Sequence, residues 1–161
     1  MRWAKADQSL SIDPDEIEHL IDENTSVVCL SHVEWGTGQV FDLKRFADAA
    51  HKNGAICVVD ATQSAGQIPI DIRISGVDAI ATSTYKWLCG PFGTGMMYLS
   101  PELQKLSPGI IGWRSHRDMW DFQADRLEYA ESAKRYEFGT MAIPSFGAIN
   151  NIFIRMAFRM D

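Results

Sequence analysis

Ala55-Ile56-Cys57-Val58-Val59-Asp60 and Val77-Asp78-Ala79-Ile80-Ala81, the second running on into Ser83-Thr84-Tyr85-Lys86, decide the fold of this chain. Each is a short, continuous apolar run of the kind that forms a buried strand in a parallel sheet. Each also leads to a residue that carries chemistry. Asp60 closes the first run, and Lys86 follows the second, twenty-six residues after Asp60. Two strand ends would deliver a carboxylate and an amine to one edge of a sheet, where open α/β sheets bind their ligands.

The flanking sequence supplies the other layers. Asp13-Pro14-Asp15-Glu16 predicts a helix start, with Asp13 as N-cap, Pro14 in the first turn and Glu16 at capping-box spacing. Val27-Val28-Cys29-Leu30-Ser31 reads as another buried strand, and Gly36-Thr37-Gly38 as a loop. Asp42 opens a second helix that runs to Lys52. Leu43, Phe46, Ala47 and Ala50 recur at helical spacing, and Asn53-Gly54 ends it. Residues 55–60, 77–82 and 95–99 are expected as strands and 71–76 as a short connection. The segment 107–138, rich in Arg, Asp, Trp and Tyr, reads as a surface or active-site loop with helical pieces. A last helix is expected from Phe146. The alternation predicts an α/β fold, a mostly parallel sheet flanked by helices.

Composition narrows the function classes. The 161 residues are enough for one domain with a real core. A net charge of −6 gives no sign of a nucleic-acid partner. No apolar run approaches membrane-spanning length, and Met1–Asp7 holds no signal-peptide core. Cys29, Cys57 and Cys89 form no CxxC pair. The first two lie in apolar runs and read as buried, and the odd, widely spaced set fits a reducing cytoplasm. For His51 and His116 the reading finds no carboxylate or cysteine at metal spacing, and no metal site is assigned.

The candidate site begins at Lys86. Thr84-Tyr85-Lys86-Trp87-Leu88 sets bulky groups around the amine, which would partly desolvate it and favour its use as a nucleophile. Asp60, at a strand end, either caps a loop or pairs with a cationic ring nitrogen. Gln63 is three residues on and suits a phenolic oxygen. Ser83 and Tyr85 offer hydroxyls to a phosphate, and Gly90, Gly93 and Gly95 allow a tight turn. His32, after the strand at 27–31, is either structural or part of the site. A Schiff-base lysine with an acid for a pyridinium nitrogen is the set that pyridoxal phosphate chemistry needs. The absence of GxxxxGK[ST], and of GxGxxG after a first strand, argues against a Rossmann-like nucleotide module.

These residues resemble a known family. Ser31-His32-Val33 with Gly38, Val58-Val59-Asp60-Ala61-Thr62-Gln63-Ser64-Ala65-Gly66, Ser83-Thr84-Tyr85-Lys86-Trp87-Leu88 and Gly90-Pro91-Phe92-Gly93-Thr94-Gly95 look like the core of class V aminotransferase-fold enzymes. That group contains cysteine desulfurases, kynureninases and isopenicillin N epimerase-like proteins. Arg135-Tyr136-Glu137-Phe138-Gly139-Thr140 resembles its RFExGT motif. The resemblance implies a fold type I large domain, pyridoxal 5'-phosphate as cofactor and an amino-acid substrate. Lys86 would be the internal aldimine lysine and proton shuttle. Asp60 would pair with the pyridine nitrogen, Gln63 would touch the phenolic oxygen, and Ser83 would bind phosphate. Thr140 would reach the phosphate of a partner subunit's cofactor, implying a homodimer with shared sites.

Two positions depart from the desulfurase branch. Tyr85 stands where that branch has His, and Trp35 where it has Asn. Both shift weight toward an epimerase-like or kynureninase-like subgroup. Family members are considerably longer, so residues 1–161 are expected to be the central part of the large domain. The N-terminal segment and the small C-terminal domain would lie outside it. Two readings follow: a pyridoxal phosphate enzyme, or the core of one, and a truncated non-catalytic remnant acting as a structural or assembly partner. Transamination, lyase or desulfurase, and epimerase chemistry all start from the same lysine and the same acid.

Overall fold

In the computed structural model, residues 1–122 and 125–157 are described, with side chains to residue 150. Four strands form one sheet in the order β1-β2-β3-β4: β1 is Val27–Ser31, β2 Ile56–Asp60, β3 Ala79–Ser83 and β4 Gly95–Leu99. The first three are parallel. β4 returns antiparallel on β3, with Ser83 paired to Gly95.

Helix α2 (Leu43–Lys52) carries the crossover from β1 to β2. The Asp42 side chain caps it by accepting from the N–H groups of Lys44 and Arg45. Of its buried stripe, Leu43, Ala47 and Ala50 pack in one cluster with Val28, Cys57, Val59 and Ile80, which share one face of the sheet, and Phe46 meets Phe41 edge-on. Helix α3 (Ile72–Ser75) stands where a plain connection was expected. Its single turn is specified by Asp71, which accepts from the N–H groups of Arg73 and Ile74, and by Gly76 at φ 70°.

Helix α1 (Pro14–His19) starts as predicted, capped by Asp13 through the N–H of Asp15. The capping box does not form: a Glu16 carboxylate oxygen accepts instead from the N–H of Lys5. Arg45 ties α1 to α2 by ion pairs to Glu18 and Asp15. β3 begins two residues later than the apolar run. The Asp78 carboxylate takes the N–H of Cys57 (2.7 Å) and the His51 ring (2.8 Å), while its N–H donates to the Cys57 carbonyl. Helix α4 (Ile143–Ala157) begins three residues before Phe146. The described residues of 107–122 and 125–138 form irregular chain with 3-10 turns at Trp113–Ser115 and Ala133–Tyr136.

β1 is not the fully buried strand its apolar run suggested. Val28 is buried, whereas Val27 and Cys29 are exposed. β1 is an edge strand, and helices cover only one of its faces in the described residues. The other face carries Cys29, Val58 and Ala79 in one row, and Ser31, Asp60, Ala81 and Met97 in the next, with Ser83 beyond it at the end of β3. Cys57, on the covered face, is fully buried as expected. Among the described residues no helix is long and apolar enough to cross a membrane.

Candidate active site

Asp60 is the last residue of β2 and Ser83 the last of β3, so parallel pairing sets both at the same end of the sheet. Thr62 joins them. Its N–H donates to a carboxylate oxygen of Asp60 (2.8 Å), and its hydroxyl oxygen accepts the N–H of Ser83 (3.1 Å). Asp60 is thereby oriented by the turn that follows it. Both residues line a cavity of about 920 Å³ on the open face of the sheet. The floor is Cys29, Val58, Ala81 and Met97; Lys134, Tyr136, Glu137, Met141 and Phe146 come over it from the C-terminal segment.

That overlying segment is fixed by three contacts. Glu137 pairs with the largely buried Arg114 (2.8 Å). The Tyr136 hydroxyl donates to the carbonyls of Leu103 and Leu106. Gly112 lies so close to Phe138 that a Cβ there would sit 1.8 Å from the Phe138 carbonyl oxygen. Only glycine permits that approach.

Lys86 lies in the loop that joins β3 to β4. Thr84, fully buried, organises this loop. Its N–H donates to the Thr94 carbonyl (3.1 Å), its carbonyl accepts the N–H of Gly90 (2.8 Å), and its hydroxyl meets Pro91 and Thr94. Gly66, at φ 91°, lets the turn after Asp60 press on the lysine loop; a Cβ there would meet the Trp87 carbonyl oxygen at 2.9 Å. Tyr85 stacks on Phe92 with centroids 4.9 Å apart and planes 23° apart. The Nζ of Lys86 lies 5.9 Å from the centre of the Tyr85 ring. The bulky neighbours enclose the amine less than their sizes suggested: Thr84 and Leu88 are buried, but Tyr85 and Trp87 are exposed.

The structure thus brings Asp60 and Ser83 into one cavity and ties them through Thr62. Lys86 and Tyr85 are in the adjoining loop, outside the residues that line the cavity. Gln63 is half-buried in the turn between Asp60 and Gly66, and its amide makes no hydrogen bond to the described residues. Thr140 is exposed, next to Met141 of the cavity wall. His32 is placed elsewhere. Its N–H extends the β1–β2 ladder to the Asp60 carbonyl (2.9 Å), but its ring falls on the helix side, in a separate hollow with Phe41, Leu43 and Ile70. The ring is buried with Nδ1 unpartnered, and burial lowers its pKa.

Sequence reading did not single out Thr62, Thr84, Thr94 or Gly112. Thr62 and Thr84 lie inside the quoted motifs, and their buried or bridging hydroxyls were the available signal. Gly112 gave none, because its constraint comes from a backbone segment twenty-six residues away.

The geometry can be set beside known proteins. The family model for aminotransferase class-V matches residues 1–157. A probable cysteine desulfurase of Methanothermobacter thermautotrophicus is 35% identical over 147 residues, covering 91% of this chain and 36% of that protein. The kynureninase of Pseudomonas fluorescens is 33% identical over 138 residues, covering 84% and 33%. Among solved structures, a C-DES mutant with glycine covalently linked to its PLP cofactor superposes with a TM-score of 0.79 at 27% identity, covering 98% of this chain and 40% of that one. The chain spans about a third of the length of the curated relatives it matches.

Proposed function

We propose a function from one premise: this chain belongs to the aminotransferase class-V family. It is a pyridoxal phosphate-dependent enzyme acting on an amino-acid substrate, or the central part of the large domain of one. The observation that carries this reading is the cavity in which the strand-end residues Asp60 and Ser83 meet, linked by Thr62.

The donor set fits that cofactor. A carboxylate held by a backbone N–H stands at one strand end, a hydroxyl at the next, and an amine and a phenol in the loop between β3 and β4. When bound, the cofactor supplies an electron sink for charge that develops at the substrate Cα. Asp60 would hold the proton of the ring nitrogen through its carboxylate. Ser83 and Tyr85 would donate their hydroxyls to the phosphate, and Gln63 its amide to the phenolic oxygen. Lys86 would bond covalently to the cofactor and move a proton at the substrate Cα through Nζ. Thr140 would serve the site of a second protomer, making the working unit a homodimer. His32 would act at a distance, through its backbone link to Asp60.

The test is to add pyridoxal phosphate to the purified chain, record the near-visible band and reduce with borohydride. The expected result is one covalent adduct, mapped to Lys86 and lost in Lys86→Ala. A folded chain with no band at saturating cofactor would overturn catalysis by this chain alone and leave the structural or assembly role. The partly exposed floor of the cavity, where Cys29, Ala81 and Met97 are exposed, favours that second reading.

A further inference from the structure

The loop between β3 and β4 holds an arrangement that the cofactor reading does not use. Tyr85 and Phe92 are both exposed, yet they stack nearly parallel. Two exposed rings would turn independently unless their backbones were fixed. Here they are, because Thr84, next to Tyr85, is bonded to Pro91 and Thr94, which flank Phe92 and Gly93. The face of the Tyr85 ring is therefore a rigid surface, and the Nζ of Lys86 lies over it at 5.9 Å. Among the described residues, no carboxylate pairs with that Nζ. The ring is its one charge-stabilising contact there.

We propose that the Tyr85 ring, backed by Phe92, is the resting place of the protonated Lys86 side chain, and so a positioning residue that sets how readily this amine reaches an aldehyde. The negative face of an aromatic ring attracts an ammonium. It offers no such attraction to a neutral amine. Attack on an aldehyde carbon needs the neutral form: Nζ gives its proton to solvent, its lone pair forms the C–N bond, and water leaves. The ring contact must therefore be given up before the amine reacts. The Phe92 stack matters because it keeps the ring from turning away. The inference rests on the reading of Lys86 as the reactive lysine only for its biological purpose; the contact itself can be measured without a cofactor.

The test is reductive methylation of the whole chain with formaldehyde and cyanoborohydride. Mass spectrometry follows the rate at Lys86 against the exposed Lys52 in the same sample. Tyr85→Leu removes the ring, and Tyr85→Phe keeps it while removing the hydroxyl. The expected result is a rise of about two- to fivefold at Lys86 in Tyr85→Leu, the size of an exposed cation–π contact, with Tyr85→Phe at the wild-type rate. An unchanged Tyr85→Leu rate, or a Tyr85→Phe rate that matches Tyr85→Leu, would overturn the proposal; the second outcome would assign the effect to the hydroxyl. Should Tyr85→Leu misfold, the wild-type chain still decides. The Lys86 ε-methylene protons should resonate upfield of those of Lys52, and equal shifts would sink the idea. Absence of a pyridoxal phosphate adduct at Lys86, with the methylation ratio as expected, would count against the proposed function and leave this contact standing.

Discussion

The two faces of the sheet are built from the same strands and differ in nearly everything else. Alternate residues go to opposite sides. Val28, Cys57, Val59 and Ile80 go under α2 and are sealed. Cys29, Val58, Ala81 and Met97 go to the other side and form the floor of a cavity that also holds Asp60. One face is spent on cohesion, the other is left to a ligand or a cover. Apolar character alone does not separate them, since both rows are apolar. What separates them is the α2 crossover, which lays its stripe on one side only.

Substitutions can break this contrast, and the largest effect is expected under α2. Phe46 is fully buried, so Phe46→Ala should cost about 3–5 kcal/mol, read as a lowered urea midpoint. Met97→Ala, on the half-exposed floor, should cost less than about 1 kcal/mol. Equal losses would mean that the open face is already sealed in solution. Next comes Gly112→Ala, which drives a Cβ into the Phe138 carbonyl and should cost about 1–3 kcal/mol as overpacking. Its mark would be release of the segment over the cavity, seen as faster hydrogen exchange at 133–146, with the α2 face unchanged.

Gly66→Ala is expected to cost about 1–2 kcal/mol, because a left-handed φ and a backbone contact are both violated. Since that contact is with the lysine loop, the variant should also slow adduct formation at Lys86 more than it lowers stability. A variant that loses stability but keeps the wild-type rate would break the link.

The smallest effects concern protons. Burial, with lesser contributions from Asp78 and Cys29, pushes the Cys57 thiol from about 9 up to about 12. The folded state then keeps a proton that the unfolded state gives up, so stability should fall as pH rises from about 9 toward 12. His32, on the same side, has a pKa lowered by burial. The unfolded chain binds that proton first, so stability should also fall as pH drops below the ordinary histidine value of about 6.5. Urea midpoints across pH would show both limits, and Cys57→Ala should abolish the alkaline one.

Much of this was legible from residue pattern. The short continuous apolar runs marked the strands, and the Asp42 cap with the helical spacing of Leu43, Phe46, Ala47 and Ala50 marked α2. The motifs put Asp60, Ser83 and Lys86 at one end of the sheet. Three readings missed for physical reasons. Cys29 sits in an apolar run and yet is exposed, because a run does not record which face a helix will cover. Asp71-Ile72-Arg73-Ile74-Ser75-Gly76 is too short for periodicity to announce a helix, although its cap residues did. His32 stands beside the site in sequence but on the wrong side of the pleat, and a one-residue step along a strand is enough to do that.

The antiparallel return of β4 has a consequence for the order of assembly. Ser83 and Gly95 pair across a loop of eleven residues, whereas Val27 must find Ile56 across a whole helical crossover. Closing the shorter loop costs less entropy and is faster. The hairpin that carries Lys86 therefore forms early, while the β1–β2 pairing that brackets Asp60 waits on α2. Kinetic φ-values at Thr84 should exceed those at Val28, so in refolding the loop that bears Lys86 takes its shape before the strand pairing beside Asp60 is complete.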